Sequence, residues 1–303
     1  MPKTVKVCVP GTTANCGPGF DAVGIACTIY NELELTLNRS DKLNIEILGE
    51  GRGIIPSDEQ NIVWQAVQAV LARTGKSYRG AHIKMTNNVP LARGLGSSAA
   101  AIVAGLVAAN AAVGGPLSKQ QLFELATEFE GHPDNVAPAI FGGITLSAVY
   151  QEKAHCLRFL PPGVLEMVVA IPAFNLSTKA ARQVLPETVA YQDAVFNISR
   201  TALLIGALSQ GAFGHLQCAL EDRLHQPYRE ALIPGMRDVF QAANKQGAYG
   251  SAISGAGPCL IAFTQQNAAP IGEAMVAAFK ANNIDATYVI LHIDQAGARL
   301  IDA

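Results

Sequence analysis

The sequence predicts an α+β protein built as two lobes. Short alternating strands and amphipathic helices are interleaved along the chain, yet the first half lacks the long βαβ series that builds a parallel sheet. With 303 residues the chain is long enough for two linked domains without disulfide support. Pro161-Pro162-Gly163 punctuates it near the middle, which sets a boundary around residues 150–165 and domains at 1–155 and 156–303.

The elements follow in order. Val5, Val7 and Val9 alternate in a first strand that runs from Met1 and precedes Pro10-Gly11. Pro18-Gly19-Phe20-Asp21 marks a turn, and a mostly apolar run leads to a strand over Asn31–Leu37. Leu43, Ile45 and Ile47 predict another strand, and the glycine-rich stretch Gly49–Ser57 a loop. Asn61–Leu71 has the spacing of an amphipathic helix, Ala81–Thr86 that of a strand, and Ala99–Asn110 that of an Ala-rich helix. Ser118, with Gln121 three residues on, forms a capping box for a helix over Lys119–Glu130. Phe141–Leu146 turns into a strand near the end of the first lobe. The second half offers strands at Leu165–Ala170, Ala248–Ile253, Cys259–Phe263 and Tyr288–Ile293. Its helices are at Tyr191–Gln210, Phe213–Glu221, Ile233–Gln246 and Ile271–Ala281.

Composition excludes several functions. Lys and Arg number 22 against 24 Asp and Glu, a net charge of -2, so no general nucleic-acid or anionic-membrane surface is expected. Half the residues are hydrophobic, but no run of 18 apolar residues appears and the N-terminus has no signal-peptide core. The six cysteines are scattered without a C-x-x-C pair, as expected of separate, mostly buried thiols in a reducing compartment. A cytoplasmic protein is expected.

The most informative segment is Pro90-Leu91-Ala92-Arg93-Gly94-Leu95-Gly96-Ser97-Ser98, which runs straight into the Ala-rich helix. Glycines allow close backbone approach, and the first N–H groups of a helix have no intrahelical partners. Together they make an anion site, with phosphate the usual occupant. The alternative is a buried helix capped by serine after a glycine turn. A P-loop is ruled out because no lysine follows Gly96, and a dinucleotide fingerprint because its third glycine is Ala99. Two further glycine segments, Asn15-Cys16-Gly17-Pro18-Gly19-Phe20-Asp21 and Ser254-Gly255-Ala256-Gly257-Pro258, each follow a strand candidate.

These three segments, in this order, resemble the three motifs of the GHMP kinases, and the middle one resembles their P-x-x-x-G-L-G-S-S loop. Within that superfamily the chain is similar to the homoserine kinases of threonine biosynthesis. Their first motif is matched by Pro10–Asp21, their H-x-D-N-V-A-P segment by His132–Pro138, and their S-T-x-x-A-R segment by Ser177–Arg182. The P-x-R and L-[IL]-P-G pair is matched by Pro227–Arg229 and Leu232–Gly235. Cys16 departs from the usual branched aliphatic residue, and Thr13 stands where serine is common. Cys16 is open to two readings, a nucleophile beside His132 or a small packing residue.

The resemblance implies a two-lobed GHMP kinase fold, with a ribosomal-protein-like N-terminal lobe and a ferredoxin-like C-terminal α+β lobe. It implies ATP on Pro90, Arg93, Gly94, Leu95, Gly96, Ser97, Ser98 and Ala99, with Asn61 near the adenine. Mg²⁺ is expected on Ser98 and Glu130, with Glu128 as the alternative carboxylate. L-Homoserine is expected among Asn15, Asp21, His132, Asp134, Asn135, Thr178, Arg182, Arg229 and Gly255. Its carboxylate calls for the guanidinium groups of Arg182 and Arg229, and its ammonium for Asp21. No catalytic base is expected: Asn135 occupies the place where a neighbouring kinase type carries one, and Asp134 is assigned an orienting role. A homodimer is expected from the same likeness. The alternatives are another GHMP-type small-molecule kinase, a mevalonate-branch decarboxylase, or a nucleotide-binding protein of this fold without catalysis.

Overall fold

Two strands longer than the sequence suggested organise the first lobe. In the computed structural model, which describes residues 4–302, β1 (Thr4–Ala14) does not stop at Pro10-Gly11. Its pairing with β2 (Val23–Asn38) slips register between Pro10 and Gly11 and then continues to Ala14, so the proline sits at a bulge instead of a strand end. Residues 1–3 of the expected first strand lie outside the described residues.

The apolar run after Asp21 belongs to β2, whose two halves serve different neighbours. Asn31–Asn38 pairs with β4 (Gly80–Asn87), which is parallel to β3 (Leu43–Gly49). Val23–Ile25 pairs with β5 (Ile144–Tyr150), which continues as a hairpin into β6 (Lys153–Phe159). The helices on this sheet are α1 (Ile62–Thr74), α2 (Ser97–Ala112), α3 (Lys119–Glu130) and α4 (Pro133–Phe141). Ser118 and Gln121 form the expected capping box at the start of α3. Helix α2 is apolar on nearly every side because it lies between the sheet and α1, with Ile102, Val103 and Leu106 inaccessible to solvent.

Helix α4, which carries prolines at 133 and 138, was not among the expected helices. Pro133 sits in the first turn, where its missing N–H costs nothing. Pro138 leaves the Asp134 carbonyl without its helical donor, and that carbonyl lies against Gly24 of β2.

The second lobe is a four-stranded antiparallel sheet in the order β10-β7-β9-β8. Its strands are β7 (Glu166–Pro172), β8 (Gly250–Ile253), β9 (Leu260–Thr264) and β10 (Ala286–Leu291). Around it run α5 (Thr178–Gln183), α6 (Tyr191–Gln210), α7 (Leu216–Ala219), α8 (Gln226–Arg229), α9 (Met236–Lys245) and α10 (Ala268–Ala281). β7 is buried on both faces. Met167 and Val169 pack with Ile25, Leu95 and α6 in a core shared between the lobes, while Val168 and Ala170 pack with α9 and α10. The final strand, β11 (Arg299–Ile301), returns to pair with β1. The division expected after residue 155 therefore falls inside β6. The change of sheet comes between Phe159 and Glu166, and the N-terminal sheet takes its last strand from the C-terminus.

Gly24 lets α4 approach the sheet: a Cβ there would lie 1.9 Å from the Asp134 carbonyl oxygen. Gly24→Ala is expected to lower stability by about 1–3 kcal/mol, the usual range for overpacking, and to shift the start of α4. Urea unfolding measures the first effect. Turnover lost beyond the unfolded fraction reports the second.

Candidate active site

Helix α2 starts at Ser97, with Gly96 as its N-cap in the left-handed region (φ 67°) and no side chain capping it. The first intrahelical bond runs from Ala100 N–H to the Gly96 carbonyl. Neither serine caps the helix: Ser97 Oγ donates to the Val89 carbonyl (3.4 Å) and Ser98 Oγ to Glu130 Oε2 (3.1 Å). The N–H groups of Ser97, Ser98 and Ala99 are therefore left to whatever the cleft holds, at the positive end of the helix dipole. The serine-capped alternative is not what the chain adopts.

The loop before α2 is held by the end of β1, just before the first glycine segment, and by the third glycine segment. Thr12 N–H donates to the Leu95 carbonyl (2.9 Å), and Ser254 Oγ donates to the Gly94 carbonyl (2.6 Å) while lying 2.8 Å from Thr13 Oγ1. Thr12 Oγ1 donates in turn to Asn135 Oδ1 (2.8 Å) at the start of α4. Leu95 and Ala99 point into the core, so only their backbone faces this region. Arg93 lines the cleft, but its guanidinium donates to Asn175 Oδ1 and the Pro172 carbonyl, which ties the loop to the second lobe. Pro90 does not line the cleft. Asn61 caps α1 by accepting from Val63 N–H and donating to the Pro56 carbonyl; it is fully buried and lies outside the cleft lining.

Ser98 and Glu130 fit a small hard cation. Their oxygens are 3.1 Å apart, near the roughly 2.9 Å expected between neighbouring ligands at Mg²⁺–O distances of about 2.05 Å. Burial pushes the Glu130 carboxyl above the usual carboxylate range, against the pull of His132 and Ser98, and a cation would reverse that. The Glu128 alternative falls away, because that residue is exposed and absent from the cleft. Asp21, His132 and Asp134 also bring ligand-type atoms within 4.8 Å of one another. Asp21, however, is engaged by Arg182, and His132 Nδ1 donates to Asp134 Oδ1 at 2.7 Å. That bond raises the His132 pKa and favours the imidazolium.

Across the cleft, Arg182 on α5 presents both terminal nitrogens to Asp21, Nη2 to Oδ1 (2.7 Å) and Nη1 to Oδ2 (3.0 Å). This pairing raises the Arg182 pKa. Arg229 on α8 is only 1% exposed. Its Nε donates to the Ala181 carbonyl (3.1 Å), and Nη1 is 3.2 Å from both the Gly255 carbonyl and His225 Nδ1. Nη2 has no protein partner among the described residues, and Arg229 lines the cleft. Burial, then repulsion from Arg182, lowers its pKa to about 10, so it remains charged at neutral pH. Asn15 accepts from Asp21 N–H (2.9 Å) and donates to the Gly255 carbonyl (2.8 Å).

One cleft thus gathers Asn15, Asp21, Arg93, Gly94, Gly96, Ser97, Ser98, Glu130, His132, Asp134, Asn135, Thr178, Arg182, Arg229 and Gly255 from both lobes. A larger cavity of about 870 Å³ lies between β11 and helices α2 and α3, but its lining is mostly apolar and holds no histidine or glutamate beside its few charges. Its Lys6 and Arg299 are already paired with Glu32 and Asp294. Cys16 is buried in the core shared by the lobes, and burial pushes its thiol far up, so it packs and does not attack. Sequence reasoning missed Thr12, Phe20, His225 and Ser254. Thr12 and Phe20 lie within the quoted first motif, and His225 is four residues before Arg229 on one helical turn. Arg182 and Arg229 both lie over the Phe20 ring, at 5.4 and 5.2 Å from its centroid.

A Cβ on Gly96 would lie 1.9 Å from Thr12 Oγ1 and 3.1 Å from Asn135 Oδ1, in a backbone conformation that β-branched residues avoid. Gly96→Val is expected to abolish nearly all activity and anion affinity at this helix end, with a smaller effect on global stability. Undiminished activity and anion binding in that variant would make the loop merely structural.

Comparison with known proteins agrees with this geometry. Residues 61–143 match the GHMP kinases N terminal domain, and residues 204–281 match the GHMP kinases C terminal domain. Homoserine kinase of Carboxydothermus hydrogenoformans is 47% identical over 97% of this chain and 96% of that protein. The enzyme of Moorella thermoacetica is 49% identical over 92% and 94%. The crystal structure of homoserine kinase from Cytophaga hutchinsonii superposes with a TM-score of 0.91 at 33% identity, covering 99% of this chain and 98% of that one. An α+β fold in two lobes, an open helix N-terminus between them and relatives matched over nearly their whole length place the chain in the homoserine kinase family of the GHMP kinases.

Proposed function

We propose that this chain transfers the γ-phosphoryl group of ATP to the side-chain hydroxyl of L-homoserine, giving O-phospho-L-homoserine. The observation that carries this reading is one cleft holding an uncapped helix N-terminus on one side and two arginines facing an aspartate on the other. The first suits a polyphosphate and the second a zwitterion.

The N–H groups of Ser97, Ser98 and Ala99 receive the phosphates. Ser98 and Glu130 would hold Mg²⁺, which when bound would neutralise charge on the phosphate oxygens. No residue is placed as a base. Asp134 is 1% exposed and bound to His132, while Asn135 is held by Thr12, so both orient the acceptor and its proton leaves with the phosphate oxygens. Phosphoryl transfer gains most from such positioning.

The Asp21–Arg182 pair gives selectivity for a zwitterion. Asp21 occupies the Arg182 fork as a substrate carboxylate would. An entering amino acid takes over Arg182 with its carboxylate and meets Asp21 with its ammonium, so neither charge is left alone. A ligand with only one of these groups leaves the other partner unpaired, at a cost reduced by the solvent that still reaches both side chains. Arg229 adds Nη2, the part of its guanidinium left unspent. A homodimer is expected from the family likeness, and sedimentation equilibrium reads it directly.

ADP release coupled to added homoserine, mevalonate, shikimate or galactose tests the reaction, and no homoserine-dependent turnover would overturn it. With that activity in hand, Arg182→Ala and Arg229→Ala are each expected to weaken homoserine binding by about 2–5 kcal/mol while the KM for ATP barely moves. Lysine at either position restores only part, lacking the planar fork. Equal rises in both KM values would point to misfolding or failed closure, and an unchanged homoserine KM would remove these arginines from the site.

A further inference from the structure

Arg229 reaches the cleft through a histidine that none of the motifs includes. His225 is fully buried at the start of α8, with its ring 5.0 Å from that of Phe20. Nδ1 lies 3.2 Å from Arg229 Nη1 and Nε2 lies 2.7 Å from the Gly17 carbonyl. A guanidinium nitrogen can only donate, so Nδ1 must accept. A carbonyl can only accept, so Nε2 must carry the proton. The two contacts together permit a single state of the ring, neutral with hydrogen on Nε2.

The surroundings enforce that state. Burial lowers the His225 pKa and the neighbouring Arg229 acts in the same direction, while Asp222, the bond to the Gly17 carbonyl and Asp21 oppose them. Asp222 Oδ2 is 3.5 Å from Nε2, but its carboxylate already accepts from the N–H groups of Leu224, His225 and Gln226. A charged imidazole would also set a second cation against Arg229.

We propose that His225 is a positioning residue for substrate recognition: its unprotonated Nδ1 holds Arg229 Nη1 so that Nη2 faces the carboxylate of the amino-acid substrate. Together with the bond from Nη1 to the Gly255 carbonyl, the contact fixes rotation of the guanidinium about its stem, which the bond from Nε to Ala181 alone does not. His225 also joins the backbone of the first motif, through Gly17, to the arginine that reaches Gly255 of the third. This inference rests on the assignment of Arg229 to the substrate carboxylate.

The test compares two substitutions of equal shape. His225→Asn keeps an acceptor oxygen where Nδ1 stands; His225→Leu has the same outline without one. Both lose the ring and its bond to Gly17, so a purely structural role would affect them alike. His225→Leu is expected to raise the KM for homoserine by about tenfold or more relative to His225→Asn, as for a lost hydrogen bond to a charged group. The KM for ATP and kcat should differ little between the two. The ¹⁵N shifts of His225 in the wild-type protein at neutral pH should show a protonated Nε2 and a bare Nδ1. Equal homoserine KM values in the two variants, or a protonated Nδ1, would overturn the inference. If both variants unfold, the ¹⁵N shifts still decide it. Absence of homoserine turnover in the wild-type protein would instead remove the assignment on which the inference rests.

Discussion

A helix end that is to bind an anion must be held by something other than its own N–H groups. Helix α2 meets this requirement by having its approach loop gripped from outside. Thr12 takes the Leu95 carbonyl, Ser254 takes the Gly94 carbonyl, and Arg93 reaches the backbone of the second lobe. The three N–H groups of the first turn stay available because the supporting bonds fall on carbonyls and side chains instead. The same contacts fix the relation of the lobes, since Ser254 directly follows β8 and Pro172 ends β7 of the second sheet, whereas Thr12 lies in β1 of the first. The core shared by β2, Leu95 and β7 closes beneath them.

The proposed substrate side is governed by desolvation. Asp21, Asp134, His132, Arg182 and Arg229 converge in a partly buried cleft, where an unpaired charge is expensive. Each charge has a partner: Asp21 with Arg182, Asp134 with His132, and Arg229 with two carbonyls and a neutral imidazole. Arg229 is the one cation of this group satisfied without a carboxylate at hydrogen-bonding distance. That leaves it electrostatically ready for an anionic group from outside, and the lowering of its pKa expresses the same condition.

The motifs were legible because they consist of residues whose local chemistry is distinctive. Gly96 must be glycine beside Thr12, Ser98 and Glu130 offer oxygens, and Arg182 offers a fork. The expectation for Asn61 missed what the residue does locally: the side chain of an asparagine just before a helix can cap it, and here it does. Helix α4 is short and holds two prolines; its first position tolerates one, and the carbonyl that the other frees lies against Gly24 of the sheet.

The sequence by itself determined the strand and helix inventory of most of the chain, the capping box of α3, the three glycine segments and the family they resemble. These rest on short-range periodicity and backbone preference, which a linear chain displays directly. Only the tertiary structure decided that Glu130 and not Glu128 meets Ser98, that Asp21 already occupies Arg182, and that β11 completes the first sheet. It alone showed that His225 and Gly17, 208 positions apart, share a hydrogen bond. Such pairings depend on how loops far apart in the chain are brought together and dehydrated, and periodicity carries no record of that.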